Sequence, residues 1–170
     1  GNCTTGTAST IGGGKSNSAI ANHATVAGGI SNSAEAACTT IAGGRSNKVE
    51  NAHGSIGGGY SNEVCSNFST IAGGELNAVT TGAHGTVAGG CSNTVTGACG
   101  AVAGGTCHTA SGSYSSIPGG FKNTAAGDYS VVGGRCNQAT AAGDYAGVVA
   151  GASNTASGLS SFVGSGCGNS

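Results

Sequence analysis

The sequence lacks much of what a conventional globular enzyme needs. It contains no Met, no Trp and one Pro, and only 6% of its 170 residues are charged and 4% are aromatic. Only 24 residues are Ile, Val, Leu or Phe, fewer than a helical or α/β core requires. Disordered chains with so few apolar residues also carry a high net charge, whereas the formal net charge here is -1. We therefore expect a folded chain that is not a conventional enzyme.

The lack of a basic patch and the lack of long apolar runs argue against two classes of partner. Five Lys+Arg and six Asp+Glu form no basic patch that could follow phosphates, so we expect no nucleic-acid partner. No apolar run approaches the ~20 residues that span a bilayer, so we expect no membrane partner. The start, Gly1-Asn2-Cys3, has neither an initiator Met nor a signal-peptide pattern, and we interpret the chain as a mature or excised product. Eight Cys favour a secreted, extracellular location.

What the chain does contain is a tandem repeat. It has 36 Gly, 22 Ser, 18 Thr and 14 Asn, arranged in units of about 15 residues with a consensus near S-T-I-A-G-G-x-S-N-x-V. The intervals between successive marker Asn residues are 15, except for 16 at Asn93, 14 at Asn137 and 17 at Asn154. We predict one domain over residues 1–170. The Asn column consists of Asn2, Asn17, Asn32, Asn47, Asn62, Asn77, Asn93, His108 in the same place, Asn123, Asn137, Asn154 and Asn169.

Two aliphatic columns share the period, and small polar residues alternate around each of them, which is typical of short strands. A Gly-Gly pair between the columns suits a tight corner. Because one unit is too small to bury its own apolar residues, we predict stacked units spaced ~4.7 Å apart. The fold class is then all-β, a parallel β-solenoid of about eleven coils; the register of residues 130–149 stays open. The columns are Ile11, Val26, Ile41, Ile56, Ile71, Val87, Val102, Ile117, Val148 and Val163, and Ala19, Ala34, Val49, Val64, Val79, Val95, Ala110, Ala125, Ala139 and Ala156.

Most polar features have a structural interpretation. We interpret the Asn column as a ladder of stacked amides that satisfies corner backbone groups, with ligand binding as the alternative. The column His23, Cys38, His53, Phe68, His84, Cys99, Tyr114, Tyr129, Tyr145 is interpreted as a stacking stripe, with a site as its alternative; its His residues lie too far apart to share a metal. The six carboxylates look scattered and form no evident acid/base pair. We expect no catalytic residue, metal or cofactor.

Coil geometry limits which pairs of cysteines could form a disulfide. A disulfide needs Cα atoms within about 7 Å, hence neighbouring coils and columns. Cys91 and Cys107 meet that condition, so one disulfide at most is expected.

The strongest functional indication is the distribution of charged residues, which are absent from one outward strand face. The residues flanking the Ile/Val column are predicted to point outward, and none of them is charged or large. On the other strand the outward residues include Glu35, Lys48, Glu50 and Glu63. The competing explanation for the Thr residues on this face is that Thr has a good strand propensity. The outward residues selected as a candidate binding face are Thr10, Thr25, Ala27, Thr40, Ala42, Ser55, Gly57, Thr70, Ala72, Thr86, Ala88, Ala101 and Ser116.

The repeats resemble two groups of proteins. Residues 69–74, Ser-Thr-Ile-Ala-Gly-Gly, look like the head repeats of trimeric autotransporter adhesins, which are left-handed parallel β-rolls. Residues 93–97, Asn-Thr-Val-Thr-Gly, are similar to the repeats of grass antifreeze β-rolls, and some algal antifreeze proteins share the adhesin-like repeat. Adhesin heads are usually almost free of Cys and precede a coiled-coil stalk, whereas this chain has eight Cys and no heptads.

These features together predict an ice-binding protein. A rigid face whose Thr methyl and hydroxyl groups repeat at the coil spacing could order water in register with an ice lattice, and the expected partner is an ice crystal surface bound by a monomer. The alternative is an adhesin-head or fibre module, trimeric, using the same face for subunit packing or receptor contact. The uncharged part of the opposite strand, with Thr94/Thr96, Thr109/Ser111 and Thr155/Ser157, is the second candidate face.

Overall fold

The structure is a computed structural model that describes residues 1–170, and it contains only short strands, with no helix. The 22 two-residue strands form two parallel sheets of 11 strands each, so the predicted β-solenoid of eleven coils is confirmed. Each coil contributes one strand to each sheet, because consecutive strands alternate between them. We number the coils 1 to 11; coil 1 contains β1 and β2, and coil 11 contains β21 and β22.

Sheet A holds the odd-numbered strands and sheet B the even-numbered ones. The strands of sheet A are β1 Cys3–Thr4, β3 Ser18–Ala19, β5 Ser33–Ala34, β7 Lys48–Val49, β9 Glu63–Val64, β11 Ala78–Val79, β13 Thr94–Val95, β15 Thr109–Ala110, β17 Thr124–Ala125, β19 Gln138–Ala139 and β21 Thr155–Ala156. Those of sheet B are β2 Thr10–Ile11, β4 Thr25–Val26, β6 Thr40–Ile41, β8 Ser55–Ile56, β10 Thr70–Ile71, β12 Thr86–Val87, β14 Ala101–Val102, β16 Ser116–Ile117, β18 Val131–Val132, β20 Gly147–Val148 and β22 Phe162–Val163.

A third ladder, which the repeat pattern did not reveal, closes the coil. One residue in each coil pairs with its equivalents in the coils above and below, from Lys15 with Ile30 through to Ala152 with Cys167. The backbone N–H of Arg45 donates to the Gly59 carbonyl at 2.9 Å, for example. Each coil is therefore held to its neighbours along three lines, and its side chains on this third line are chemically diverse.

The interior is narrow and mainly aliphatic. The second residue of each strand points inward, and Ile41, Ile71 and Val79 are fully buried. The first residue of each strand and the residue after the strand point outward, as the alternation predicted. One Ile or Val from sheet B and one Val or Ala from sheet A fill each interior coil, which explains how so few aliphatic residues suffice.

The Asn column forms the polar side of this interior, as its structural interpretation predicted. In coil 5 the Asn62 backbone N–H donates to Asn47 Oδ1 at 3.0 Å, and Asn62 Nδ2 donates to the carbonyls of Gly58 and Gly74 at 3.0 and 2.9 Å. The same pattern recurs along the column, with Asn32 and Asn77 fully buried. Each amide therefore supplies the hydrogen bonds that a buried corner would otherwise lack.

The corners require positive φ at three places in each coil. Gly44, with φ of 87°, is one of a Gly column that lies so close to the next coil that a Cβ there would collide with the Gly59 carbonyl and the Asn47 amide. Two further columns adopt positive φ without Gly, for example His53 at 59° and Ser46 at 58°. Such residues are uncommon in that region, and here cross-coil hydrogen bonds hold them, such as the one from the His53 N–H to the Ala37 carbonyl at 3.1 Å.

The structure also resolves the register that the sequence left open. Ser116 pairs with Val131, and Val131–Val132 pairs with Gly147–Val148, so Val132 joins the inward column. The irregular intervals all fall in corners. Coil 6 has one extra residue and coil 10 two between sheets A and B, and coil 9 lacks one residue between Val132 and Arg135.

Candidate functional site

The candidate face is the outer surface of sheet B in coils 1–8, which we name the threonine face. It consists of two files, one the first residue of each strand and the other the residue after the strand. The first file is in direct cross-strand register from Thr10 through to Ser116. The first file is Thr10, Thr25, Thr40, Ser55, Thr70, Thr86, Ala101 and Ser116; the second is Gly12, Ala27, Ala42, Gly57, Ala72, Ala88, Ala103 and Pro118.

Every residue selected from the sequence for the candidate face lies on this outer surface. Thr10, Thr40, Thr70 and Thr86 are exposed, whereas Thr25 is half-buried between its neighbours. The second file is exposed throughout. With coils spaced about 4.8 Å apart, eight coils extend over about 34 Å. The face is therefore long, narrow and built entirely of small uncharged side chains apart from the Pro118 ring at its end.

The hydroxyl groups of this face have no partner within the protein. None of the Thr and Ser side chains of the first file makes an intramolecular hydrogen bond, whereas Thr39, which points inward one residue before Thr40, donates to the Ala36 carbonyl at 2.7 Å. The backbone beneath the face is fixed, since the Thr40 and Ala42 N–H groups donate to Gly54 and Ile56 carbonyls at 3.1 and 3.0 Å. The face thus presents unsatisfied hydroxyls from seven of its eight coils, all but that of Ala101, to solvent on an ordered support.

The face ends at coil 8, a boundary that the sequence pattern did not reveal. In coils 9–11 the first file continues with Val131, Gly147 and Phe162, and Phe162 is 69% exposed. The Phe162 ring covers Gly147, where a Cβ would come within 2.9 Å of the ring. Gly133, which occupies the second-file position of coil 9, is buried, and a Cβ there would come within 2.9 Å of the Val149 carbonyl oxygen. Sheet B therefore changes from a hydroxyl-bearing to an apolar surface at its C-terminal end.

Sheet A carries a charged cluster on its outer surface, and here the expectation of scattered carboxylates was wrong. Lys48 Nζ donates to Glu50 and lies 3.8 Å from Glu35 Oε2. The hydrogen bond to Lys48 lowers the pKa of Glu50, and the same bond raises the pKa of Lys48. The clustering follows from the 15-residue period, which puts Glu35, Glu50 and Cys65 in one file and Lys48 beside Glu63.

Three groups of this cluster come within metal-binding distance of one another. One ligand atom from each of Glu50, Glu63 and Cys65 lies within 4.8 Å of the others. Burial, reinforced by the Glu50 carboxylate, raises the pKa of the Cys65 thiol to about 12. A thiol must lose its proton to bind a metal, and Lys48 already neutralises Glu50, so the set is a poor ligand site. Its half-exposed ion pairs also contribute little to stability.

The second candidate face is less regular than the threonine face. Thr94, Thr109 and Thr124 pair in register on sheet A. Gln138 interrupts this file, and the two extra residues of coil 10, Ala141 and Ala142, are exposed at its edge. Sheet A is thus charged in coils 3–5 and uncharged but uneven in the later coils.

The corner between sheets A and B carries stacked rings, as the stacking interpretation predicted. The His53, Phe68 and His84 rings stack at centroid separations of 4.7 and 5.2 Å. Tyr114, Tyr129 and Tyr145 stack in the same way at 4.9 and 5.0 Å, and their planes are within 4° of parallel. We name this line of side chains the ring column.

All eight cysteines are free thiols, so the Cys91–Cys107 disulfide expected from coil geometry is not formed. The Cys107 N–H donates to the Cys91 carbonyl at 3.0 Å, which shows that the two residues are neighbours. Cys91, however, lies on the third ladder, where its partner in the next coil is Thr106. Cys107 comes one residue after Thr106, at the positive-φ corner, and so occupies a different column from Cys91. The Cys91 sulfur faces Ser92 Oγ instead, at 3.5 Å.

No family model and no curated protein matches this chain. The structure also has no helix long and apolar enough to cross a membrane.

Proposed function

We propose that this chain is an ice-binding protein that adsorbs to ice through the threonine face. The observation that carries the proposal is the run of eight in-register coils whose outward side chains are small, uncharged and free of intramolecular hydrogen bonds. Ordered water can bridge polar groups almost as well as a direct hydrogen bond. Hydroxyls repeated at one spacing, with methyl groups between them, hold such water in a lattice rather than in isolated sites.

The distribution of charge supports the same face. A charged group orients water around itself and keeps its own hydration shell, which is incompatible with a continuous ordered layer. The threonine face has no charge over its whole length, while sheet A carries Lys48 and three Glu residues. The rigid backbone ladder adds to the effect, because little conformational entropy remains to be lost when the face meets a solid surface.

We further propose that the protein works outside the cell, as a monomer and without catalysis. The competing function is an adhesin-head or fibre module in which three copies pack through their solenoid faces, as the resemblance to adhesin repeats implies. Ice affinity combined with sedimentation of the purified chain separates the two functions. A monomer that shapes ice supports our proposal, and a trimer without ice activity supports the alternative.

The first prediction tests the face directly. Thr40→Tyr and Thr70→Tyr place a bulky ring in the middle of the threonine face without touching the inward Ile column, so each should remove most thermal hysteresis. The matched control is Ala78→Tyr, at the equivalent outward strand position of sheet A, which should retain the parent activity.

Circular dichroism must show that all three variants keep the parent fold. If the two Thr variants retain full thermal hysteresis, the threonine face is not the ice-binding surface. If Ala78→Tyr alone loses activity, sheet A is the binding surface and the assignment of faces is reversed.

A further inference from the structure

The ring column contains two intervals in which a ring is missing, one over Cys38 between His23 and His53 and one over Cys99 between His84 and Tyr114. Only the second is bounded by a Tyr ring. The two stacks of three rings occupy coils 4–6 and coils 8–10, and coil 7 between them carries Cys99. Cys99 adopts the same positive φ as its neighbours, 54° against 62° for His84 and 56° for Tyr114. Its side chain therefore leaves the backbone at the place where the rings of the adjacent coils do, but it ends at a half-exposed sulfur atom.

An interval of the same width is filled by a ring elsewhere in the column, which shows that two coil spacings can hold one ring. His53 and His84 are two coils apart, and the Phe68 ring lies between them at 4.7 and 5.2 Å, tilted by 3° and 10°. His84 and Tyr114 are also two coils apart, about 10 Å by the coil spacing. One flat ring entering from solvent would lie between the outer parts of the His84 and Tyr114 rings, just outside the Cys99 sulfur atom.

The side chains around the interval over Cys99 leave its solvent side open. The residues that precede the ring column in coils 6–8 are Ala83, Ala98 and Ser113, which are all small. On the Tyr114 side lies the carboxylate of Asp128, whose Oδ1 accepts a hydrogen bond from the Ser113 N–H at 2.7 Å. No Lys or Arg lies in this corner of coils 6–8.

We propose that the interval over Cys99 is a binding site for one planar cationic heteroaromatic ring, held between His84 and Tyr114. Parallel rings attract one another beyond the area they bury, and the electron-rich face of Tyr favours a cation. The Asp128 carboxylate adds attraction for positive charge and disfavours anions. The site is independent of the threonine face, which lies on sheet B beyond this corner.

The test uses the N-methylquinolinium cation as the probe, with affinity measured by titration of the probe's NMR signals with the full chain. We expect a dissociation constant on the order of 1 mM, typical of a small ring with two stacking partners. The anion 2-naphthalenesulfonate, of similar shape, should bind at least about fivefold more weakly, since a difference near 1 kcal/mol corresponds to that factor.

Variants decide whether the binding occurs at this interval. Cys99→Phe fills it with a covalently attached ring and should abolish binding, whereas Cys99→Ser keeps it open and should bind like the parent. Tyr114→Ala removes one wall and should weaken binding about fivefold or more. Tyr60→Ala removes an exposed ring at a different corner and is the control, expected to leave affinity unchanged.

Two results would overturn the proposal. One is parent-like affinity in folded Cys99→Phe or in Tyr114→Ala; the other is equal affinity for the cation and the anion. Should Cys99→Phe fail to fold, Tyr114→Ala still decides the outcome, because Ala occurs in this same column at Ala8 with a φ of 54°.

Discussion

His108 is the only member of the buried polar column that is not Asn, and replacing it with Asn tests how the column stabilises the solenoid. His108 is almost completely buried. Its backbone N–H donates to Asn93 Oδ1 at 3.0 Å, and its Nδ1 accepts from the Asn123 N–H at 3.1 Å. Its Nε2, however, has no hydrogen-bond partner.

The size of the effect follows from the neighbouring coils. In each of them the Asn amide donates to two Gly carbonyls, as Asn93 does at 3.1 and 3.0 Å. His108→Asn should restore both bonds, and at about 0.5–1.5 kcal/mol each the variant gains about 1–3 kcal/mol. For a chain of this length, each kcal/mol raises Tm by about 2–4 °C.

The substitution should also change the pH dependence of stability. Burial lowers the pKa of His108 below its usual 6.5. As the pH falls through 6.5, the unfolded chain gains a proton that folded His108 does not take up, so the folded state loses stability until the pH is below the folded pKa. The Asn variant lacks this term, and its advantage over the parent should therefore widen in acid.

The assay is thermal unfolding of parent and variant at pH 7.5 and pH 5, followed by circular dichroism. The difference in Tm between the two proteins removes the contribution of the other three His residues. The reasoning fails if the variant melts below the parent at pH 7.5. It fails equally if the difference in Tm does not grow at pH 5.

Two further predictions concern the interior and the cysteines. Val95→Asp puts a carboxylate into the buried aliphatic column and should cost about 3–5 kcal/mol in urea unfolding, whereas Thr94→Asp, one residue earlier on the outer surface, should change stability by about 0.5 kcal/mol or less; equal effects would mean that the strand faces are reversed. Cys65, whose pKa is raised to about 12, should react with iodoacetamide at pH 8 at least about tenfold more slowly than the exposed Cys167, because only the thiolate reacts. Equal labelling rates by mass spectrometry would contradict the proposed burial and carboxylate effects.

Much of the candidate site could be predicted because its residues obey two short periods. Alternation along a strand separates Thr40 from Ile41, and the 15-residue period places Thr40 beside Thr25 and Ser55. The same period could have revealed the cluster of Glu50, Glu63 and Cys65, since Glu50 and Cys65 are one repeat apart. Glu63, however, belongs to the adjacent column of the same sheet, so no single column of the repeat contains the whole cluster.

The end of the threonine face could not be predicted in this way. Between residues 123 and 154 the repeat first loses one residue and then gains two, and several registers satisfy the sequence equally well. The structure places these changes in corners, where an extra residue disturbs no ladder, and so brings Val131 and Phe162 into the Thr file. The third ladder through Arg45 and Tyr60 escaped prediction because a single-residue bridge has no alternation to mark it.

By itself the sequence determined the solenoid and the direction in which the strand residues point. These properties repeat in every coil. Because the buried amide ladder and the narrow aliphatic interior require the same spacing between all coils, each repeat of the sequence carries the same pattern. The tertiary structure decided what depends on pairs of coils in contact: where the small-residue face stops, which rings stack, and that Cys91 and Cys107 remain thiols. Those outcomes depend on corner conformation and on distances between neighbouring coils, which no single repeat contains.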